Sequence, residues 1–212
     1  MYKHGFKRLL DILFSFVGIV VLAIPMVIFA LIIKAEDPGP AIFKQKRVGL
    51  HKTYFNVLKF RSMKMSTPHD TPTHMLSNPD QYILRCGHWM RKMSIDELPQ
   101  LFNILKGDMS IVGPRPALWN QDDLVAERDK YGANDVKPGL TGWAQINGRD
   151  ELEIPTKAKL DGEYTAALNV GHGKGFAMDC RCFFGTIKSV LHHDGVVEGG
   201  TGEMKKRKEV HK

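Results

Sequence analysis

The chain has 212 residues, 43% of them hydrophobic, with a formal net charge of +7 and a pI near 9.3. This length fits one domain plus an attached segment, and the charge indicates an anionic partner: nucleic acid, an acidic membrane surface or a phosphorylated substrate. The three cysteines are odd in number and lack paired C-x-x-C spacing, which argues against a disulfide framework and a zinc site.

The first element is an uncharged apolar run from Ile12 to Ile33. As a helix, its 22 residues would measure about 33 Å, enough to span a bilayer. A transmembrane anchor is therefore the simplest interpretation. A cleaved signal peptide fits less well, because the run exceeds the usual hydrophobic region and no clear cleavage site follows it.

Two features of this run favour a re-entrant membrane helix that enters and leaves the same leaflet. Pro25 removes a backbone hydrogen bond and kinks the helix near Ile24, so each half is too short to cross. Both flanks are basic, and flanks of like sign prefer the same side of the membrane. A full span and a re-entrant bend remain alternatives for this segment, residues 1–36. The basic flanking residues are Lys3, Lys7, Arg8, Lys34, Lys44, Lys46 and Arg47.

Short strands and a helix are predicted next. The stretch AIFKQKRVGL reads as a basic strand or loop next to the membrane segment. TYFNVLKFRSMKM alternates loosely, which predicts a strand with Lys59 and Arg61 on one face. Residues 66–79 contain three prolines and predict a loop, a candidate mobile lid. A helix over residues 81–92 then brings Arg91 towards an acidic pair.

That pair, Asp96 and Glu97, opens the stretch SIDELPQLFNILKGDMSIVGPRP. If a helix begins near Ser94, its free N–H groups and its dipole favour the ionised form of both carboxylates. Ser94 and Glu97 also fit an ordinary capping box, which is the structural alternative.

Basic residues surround the same stretch. Pro114 and Pro116 restrict Arg115 before any ligand arrives. Arg91 lies just upstream of the acidic pair, and KFRSMK adds a further basic cluster. Carboxylates that converge with several cations indicate a site for a polyanion.

The rest of the chain is predicted to be mainly helical. A solvated outer helix is expected over residues 118–131, followed by a glycine-rich stretch, residues 137–151, whose turns allow the backbone close to a ligand. Further helices are expected at 157–168 and 183–192, before a solvated basic tail, residues 201–212.

Three motifs carry a resemblance: KFRSM, then R-x-x-SIDELPQL-x-N-x-L-x-GDMSIVGPRP, then KPGLTGWAQINGR. Together they resemble the catalytic signature of the small monotopic phosphoglycosyl transferases, bacterial enzymes that start glycan assembly on polyprenol phosphate. The match covers nearly the whole chain. It implies an α+β, mostly helical fold: a re-entrant N-terminal membrane helix with a compact cytosolic catalytic domain of few short strands, residues 37–200.

The resemblance also implies an activity. The enzyme would transfer a sugar 1-phosphate from a UDP-sugar to polyprenol phosphate, through a phospho-aspartyl intermediate, with Mg²⁺ as cofactor and release of UMP. Its partners would be the UDP-sugar, polyprenol phosphate and membrane lipid, without nucleic acid, and the oligomeric state stays open. It would lie on the cytoplasmic face of the bacterial inner membrane.

Site residues follow from the same motifs. Asp96 falls on the family's nucleophile and Glu97 on its partner acid, both also candidate metal ligands, and Pro25 falls on the proline that bends the membrane helix. Candidate phosphate-binding residues are Lys59, Arg61, Arg91 and Arg115, and candidate nucleotide-sugar contacts are Gln145 and Arg149.

Two other classes of function remain open on the residues alone. A membrane-tethered module with a basic face for nucleic acid or acidic lipid would explain the charge. A membrane-bound phosphohydrolase would also use an aspartyl phosphate, but would transfer the phosphoryl group to water.

Overall fold

A computed structural model describes residues 2–67, 79–148, 152–171 and 173–192. Helices predominate in these ranges and the strands are few and short, as predicted. The helices are α1 (Lys7–Glu36), α2 (Arg85–Lys92), α3 (Gln100–Lys106), α4 (Asp122–Asp129), α5 (Trp143–Ile146), α6 (Ile154–Val170) and α7 (Lys174–His192). The strands are β1 (Ile42–Val48), β2 (Tyr54–Phe60), β3 (Ser110–Val112) and β4 (Gly139–Thr141). Shorter turns are a π-helical one at Tyr2–Phe6 and 3₁₀ turns at Leu50–Lys52, Pro79–Tyr82 and Ile95–Glu97.

The long helix α1 packs one face against the rest of the chain over its whole length. Asp11 and Ser15 are buried near its start, and Met26 and Ile33 are buried in its second half. This second half packs on a core cluster whose other buried members are Ala41, Phe60, Leu84 and Met90. Away from this face the helix exposes apolar side chains: Leu9, Ile12, Leu13, Phe14, Phe16, Val17, Val20, Val21, Ile24, Val27, Ile28, Leu31 and Ile32.

Polar contacts fix the start of α1. The guanidinium of Arg8 donates two hydrogen bonds, of 2.6 and 2.8 Å, to backbone carbonyls in the last turn of α3, where a cation also interacts favourably with the helix dipole. Asp11 accepts hydrogen bonds from the Ser110 hydroxyl at 3.0 Å and from the Ile111 N–H at 2.9 Å. The helix base is thereby tied to strand β3.

Two acidic residues fix the other end of α1. Glu36 accepts hydrogen bonds from the backbone N–H groups of Arg85 and Cys86, which satisfies free donors at the start of α2. Asp37 accepts a hydrogen bond from the Met65 N–H at 2.9 Å and pairs with Arg61. These contacts attach the end of α1 to the elements that flank the acidic pair.

The first sheet is an antiparallel hairpin of β1 and β2, with Ile42 opposite Phe60 and Val48 opposite Tyr54. Asn103 of α3 holds the edge of β2: its amide oxygen accepts a 2.9 Å hydrogen bond from the N–H of Leu58, and its amide nitrogen donates a 2.8 Å bond to the carbonyl of Asn56. This anchor brings the end of β2 beside α3.

The second sheet pairs β3 and β4 in parallel. Its glycines permit very close backbone packing: a Cβ on Gly139 would lie 2.1 Å from the Gly113 nitrogen, and one on Gly142 would lie 2.1 Å from the Gly113 oxygen. Within the glycine-rich stretch, β4 and α5 form, and Gly139 and Gly142 pack against the backbone of Gly113. Its approach to a ligand stays a prediction.

Helices α6 and α7 pack behind this sheet. Tyr164, Leu168 and Cys182 form a core cluster with Val112 of β3 and Val136. The two predicted C-terminal helices are confirmed, and α7 begins earlier than expected. The predicted outer helix is shorter than expected and only partly solvated, because α4 buries Leu124 and Arg128.

Some predictions concern residues that the structure does not describe. They are residues 68–78 of the candidate lid, Arg149, and the basic tail, residues 201–212. All three cysteines lie in the described ranges and are free thiols. The division into a membrane segment, a catalytic domain and a tail stays a prediction.

Candidate active site

The acidic pair lies in the 3₁₀ turn that joins α2 to α3. Ser94 precedes this turn with a φ of 55°, in the left-handed region that non-glycine residues rarely occupy. The expected helix start near Ser94 is wrong, since α3 begins only at Gln100. The capping box does not form either, because Ser94 makes no side-chain cap hydrogen bond.

Glu97 is buried and accepts hydrogen bonds from two cationic side chains. The Lys59 ammonium and the Arg115 guanidinium both donate to its Oε1 atom, at 2.9 and 2.7 Å. Burial alone would raise the pKa of Glu97, but Arg115 and Lys59 together hold it well below the ordinary range. Glu97 is therefore a fixed negative charge that orders two basic side chains.

Asp96 has a different environment, although it is the next residue in the chain. Among the described residues its carboxylate accepts no hydrogen bond. Burial raises the pKa of Asp96, and the charge of Glu97 adds to this effect, more than the charges of Lys59, Arg91 and Arg115 lower it. The expectation that both carboxylates are held ionised is thus wrong in direction for Asp96.

The structure brings three of the four predicted phosphate-binding cations to this pair. Lys59 comes from the end of β2 and Arg115 from the loop after β3, both bonded to Glu97. Arg91 lies in the last turn of α2, where its Nε atom donates to the Ser62 hydroxyl at 2.9 Å. Its positive charge acts on Asp96.

Arg61 is not brought to the acidic pair. It is buried and its side chain donates to the carbonyl of Pro40 at 2.8 Å and to Asp37. Because the chain turns out of β2 after Phe60, Arg61 fastens the loop that follows α1, whereas Lys59 reaches Glu97. Its observed contacts are structural, and its predicted phosphate role stays a prediction.

Gln145 lies in α5, against the loop that leads to Arg115. Neither polar atom of its buried amide has a hydrogen-bond partner within the described part of the chain. A Cβ on Gly142 would lie 2.7 Å from its Oε1 atom, so the amide sits close to the packed glycines. A buried, unpaired amide costs about 1–3 kcal/mol, which is compatible with the predicted role as a ligand contact.

The acidic pair has the composition of a Mg²⁺ site that is completed by substrate. The described ranges contain no group of three or more His, Cys, Asp or Glu side chains that could hold a metal ion. Mg²⁺ commonly uses only one or two protein carboxylates and completes its shell with water and substrate phosphates. Asp96 and the Oε2 atom of Glu97 accept no hydrogen bond from the described residues, so these two side chains fit such a site.

Three buried polar residues that sequence reasoning did not assign to the site support the segment ending in Arg115. Asp11 holds the backbone of β3 from α1. The Tyr164 hydroxyl lies 2.9 Å from the Val112 carbonyl oxygen and 2.8 Å from Asp179 Oδ1. Arg128 donates to the Arg115 carbonyl at 3.0 Å. The only signal for Asp11 in the sequence was that it is a charged residue directly before an apolar run.

The family model for bacterial sugar transferases matches residues 2–193. The chain belongs to the bacterial sugar transferase family. The family predicted from the motifs is therefore confirmed, and with it the class of enzyme, a transferase.

Several relatives are also similar over most of the chain. The uncharacterized sugar transferase EpsL of Bacillus subtilis strain 168 is 37% identical over 191 residues, which cover 90% of this chain and 89% of EpsL. The undecaprenyl-phosphate glucose phosphotransferase of Komagataeibacter xylinus is 40% identical over 192 residues, or 86% of this chain and 35% of that protein.

A third relative is the UDP-glucose:undecaprenyl-phosphate glucose-1-phosphate transferase of Escherichia coli strain K12. It is 38% identical over 177 residues, or 77% of this chain and 37% of that protein. The sugar transferase thus spans little more than a third of the length of the two relatives named for a glucose transfer, and most of the length of EpsL.

Proposed function

We propose that this sugar transferase moves a sugar 1-phosphate from a UDP-sugar to polyprenol phosphate and releases UMP. The observation that carries the proposal is the pair of adjacent carboxylates in contrasting environments, Glu97 bonded to two cations and Asp96 without a hydrogen bond from the described residues. The names of the relatives, which describe transfer of a sugar phosphate to undecaprenyl phosphate, support the same reaction.

In the first step the Asp96 carboxylate attacks the phosphorus that carries the sugar. A bond forms between a carboxylate oxygen and this phosphorus, and the bond to the UMP oxygen breaks, so that UMP leaves with the electron pair. Asp96 suits this role because its carboxylate is partly desolvated and makes no competing hydrogen bond within the described ranges.

The attack brings negative charges together, and cations must offset the repulsion. Lys59, Arg91 and Arg115 lie around the pair, and Glu97 holds two of them at a fixed position. Such preorganised charges stabilise a developing anion more than mobile solvent does. Mg²⁺, held by Asp96 and Glu97 together with donor phosphates, would neutralise further charge on the diphosphate.

In the second step an oxygen of polyprenol phosphate attacks the same phosphorus and releases the Asp96 carboxylate. The acceptor is a membrane lipid, so the site must lie near a bilayer. Helix α1 is long and apolar enough to cross a membrane, and its outer faces expose apolar side chains. These features support attachment of the transferase to lipid.

The packing of α1 favours a monotopic arrangement over a full span. The helix is about 45 Å long at 1.5 Å per residue, and contacts from Arg8 to Glu36 tie it to the catalytic elements. A helix so attached cannot cross the bilayer without drawing the charged domain into it. We therefore place the chain on the cytoplasmic face of the inner membrane, with Pro25 within the re-entrant helix.

A screen of UDP-sugars tests the proposal. The purified transferase is incubated with each donor, Mg²⁺ and polyprenol phosphate, and UMP and lipid-linked sugar are measured. One donor should give both products in equal amounts, and repeated turnover should require the acceptor. Asp96→Asn should give neither product. UMP turnover that does not need polyprenol phosphate, without a lipid product, would indicate a phosphohydrolase instead.

A further inference from the structure

A buried ion pair lies behind the loop that carries Arg115. Arg128 of α4 donates from Nε and from an NH2 nitrogen to one carboxylate oxygen of Asp161 in α6, at 2.8 and 2.6 Å. Arg128 is 4% exposed and Asp161 is 1% exposed. Neither residue belongs to the acidic pair or to the predicted phosphate-binding set.

The ion pair is connected to the candidate active site through Arg115. The same NH2 nitrogen of Arg128 donates a 3.0 Å hydrogen bond to the backbone carbonyl of Arg115. The side chain of Arg115 in turn donates to Glu97 at 2.7 Å. Pro114 and Pro116 already restrict the backbone on both sides, so fixing this carbonyl fixes the origin of the Arg115 side chain.

We infer that Arg128 and Asp161 are a positioning pair that holds Arg115 against Glu97. The inference rests on the proposed function only in the first two tests, where the rate of the proposed transfer reaction is measured. Asp161 keeps Arg128 in place, Arg128 keeps the Arg115 carbonyl in place, and Arg115 then presents its guanidinium to Glu97 and to the donor phosphate.

The energetics of the pair also favour a role beyond stability. The Oδ1 atom of Asp161 has no hydrogen-bond partner among the described residues, and burial raises the pKa of this carboxyl despite the adjacent Arg128. A buried ion pair is often replaced by apolar residues of similar volume without loss of stability. Its presence here is explained by the hydrogen bond to the Arg115 carbonyl, which an apolar pair cannot make.

The first test replaces the pair by apolar residues, in the double variant Arg128→Met, Asp161→Leu. The melting temperature should be unchanged or higher, while the transfer rate should fall about tenfold to a hundredfold, as expected for loss of one hydrogen bond to a charged group. The control Lys52→Met removes an exposed ion pair with Asp129, which lies on the same helix as Arg128. This control should leave the rate unchanged.

The second test asks whether the pair acts through Arg115. In an Arg115→Ala background, the double replacement should change the rate less than about twofold, because the residue being positioned is already missing. A further loss of about tenfold or more in that background would show an independent effect and overturn the inference.

A third readout needs no substrate. In ¹⁵N-labelled protein, with Arg115→Ala for assignment, the guanidinium signal of Arg115 reports on its hydrogen bond to Glu97. In the double variant this signal should shift towards that of a solvated guanidinium, because the Arg115 carbonyl is no longer held. Asp161→Asn is the milder replacement should the double variant fail to fold, and it should shift the signal in the same direction. An unshifted Arg115 signal in folded variants would overturn the inference, whatever group the wild-type enzyme transfers.

Discussion

Asp96 and Glu97 are adjacent in the chain, yet their environments shift their pKa values in opposite directions. Burial raises the pKa of Asp96, whereas Arg115 and Lys59 overcome burial and lower the pKa of Glu97 well below its ordinary range. The folded state therefore disfavours ionised Asp96 and favours ionised Glu97. Since attack on a phosphorus requires a free carboxylate, the proposed catalytic role of Asp96 and the stability of the fold oppose each other at this residue.

This opposition predicts different effects of two conservative substitutions on stability. Asp96→Asn removes a partly buried charge that has no hydrogen-bond partner in the described residues, so at neutral pH the melting temperature should rise while transfer falls to background. Glu97→Gln leaves Lys59 and Arg115 without their anion, a loss of about 1.5–3 kcal/mol, or about 3–12 °C. Thermal unfolding of the two purified variants beside the wild type checks both.

The effects should depend on pH in opposite ways. The folded pKa of Asp96 is raised, so its contribution to stability is present below its unfolded pKa and is lost as the pH rises through the folded value. The folded pKa of Glu97 is lowered, so its contribution is present above its unfolded pKa and is lost as the pH falls through the folded value. A drop in melting temperature for Asp96→Asn at neutral pH would contradict this account.

The pH dependence of the reaction should identify the ionisation of Asp96. The acid limb of kcat/KM reports groups of the free enzyme, and it should lie above the usual aspartate value of about 3.9, since Asp96 must lose its proton before attack. Arg91→Met should move this limb to higher pH, because Arg91 favours the charged carboxylate. Lys92→Met, a change at the neighbouring exposed cation, is the control.

Two results would contradict the assignment of the acid limb to Asp96. An acid limb at or below the ordinary aspartate value, or one that Arg91→Met leaves in place, would show that Asp96 is not the titrating group.

Local patterns in the sequence predicted the elements well. Loose alternation predicted β2, and the apolar run predicted α1, because both signals depend on side chains that are close in the chain. The segment of β1 was predicted only as a strand or a loop. The acidic pair and the prolines around Arg115 were likewise recognisable as candidate site residues from motifs of a few residues. The prediction of a helix start near Ser94 failed because Ser94 has a left-handed backbone conformation, which a serine in the sequence does not indicate.

Contacts between distant segments could not be read in this way. Lys59 and Arg61 look equivalent on an extended strand, but the chain leaves β2 between them, and only Lys59 reaches Glu97. Asp161 looks like an ordinary helix charge until α4 packs against α6 and buries it with Arg128. Such pairings depend on how helices dock, which a single sequence does not specify.

The attachment of α1 predicts that both ends of this helix lie on the cytoplasmic side. A cysteine introduced by Lys3→Cys, in a background whose native cysteines are replaced, should resist a membrane-impermeant reagent added to intact cells and react after lysis. The reason is that contacts at Arg8 and Glu36 hold both ends on the same domain.

Pro25 offers a matched topological test. Pro25→Leu restores the backbone N–H that proline lacks, and it should leave the introduced cysteine protected, because the contacts at Arg8 and Glu36 do not involve Pro25. Labelling of the Lys3→Cys variant with Pro25 intact, however, would demonstrate a true span and refute the monotopic arrangement.

The order of product release distinguishes a covalent intermediate from direct attack by the lipid phosphate. If Asp96 first takes the sugar phosphate, UMP leaves before polyprenol phosphate reacts, and initial rates should give the parallel lines of a ping-pong scheme. With UDP-sugar and Mg²⁺ but no acceptor, a stoichiometric burst of UMP should accompany a phospho-sugar adduct on Asp96, and chelation of the metal should suppress both. Because acyl phosphates hydrolyse, the sample is quenched rapidly before mass analysis, and Asp96→Asn serves as the control. Intersecting lines with neither burst nor adduct would instead indicate a ternary complex, in which Asp96 acts as a base or as a metal ligand.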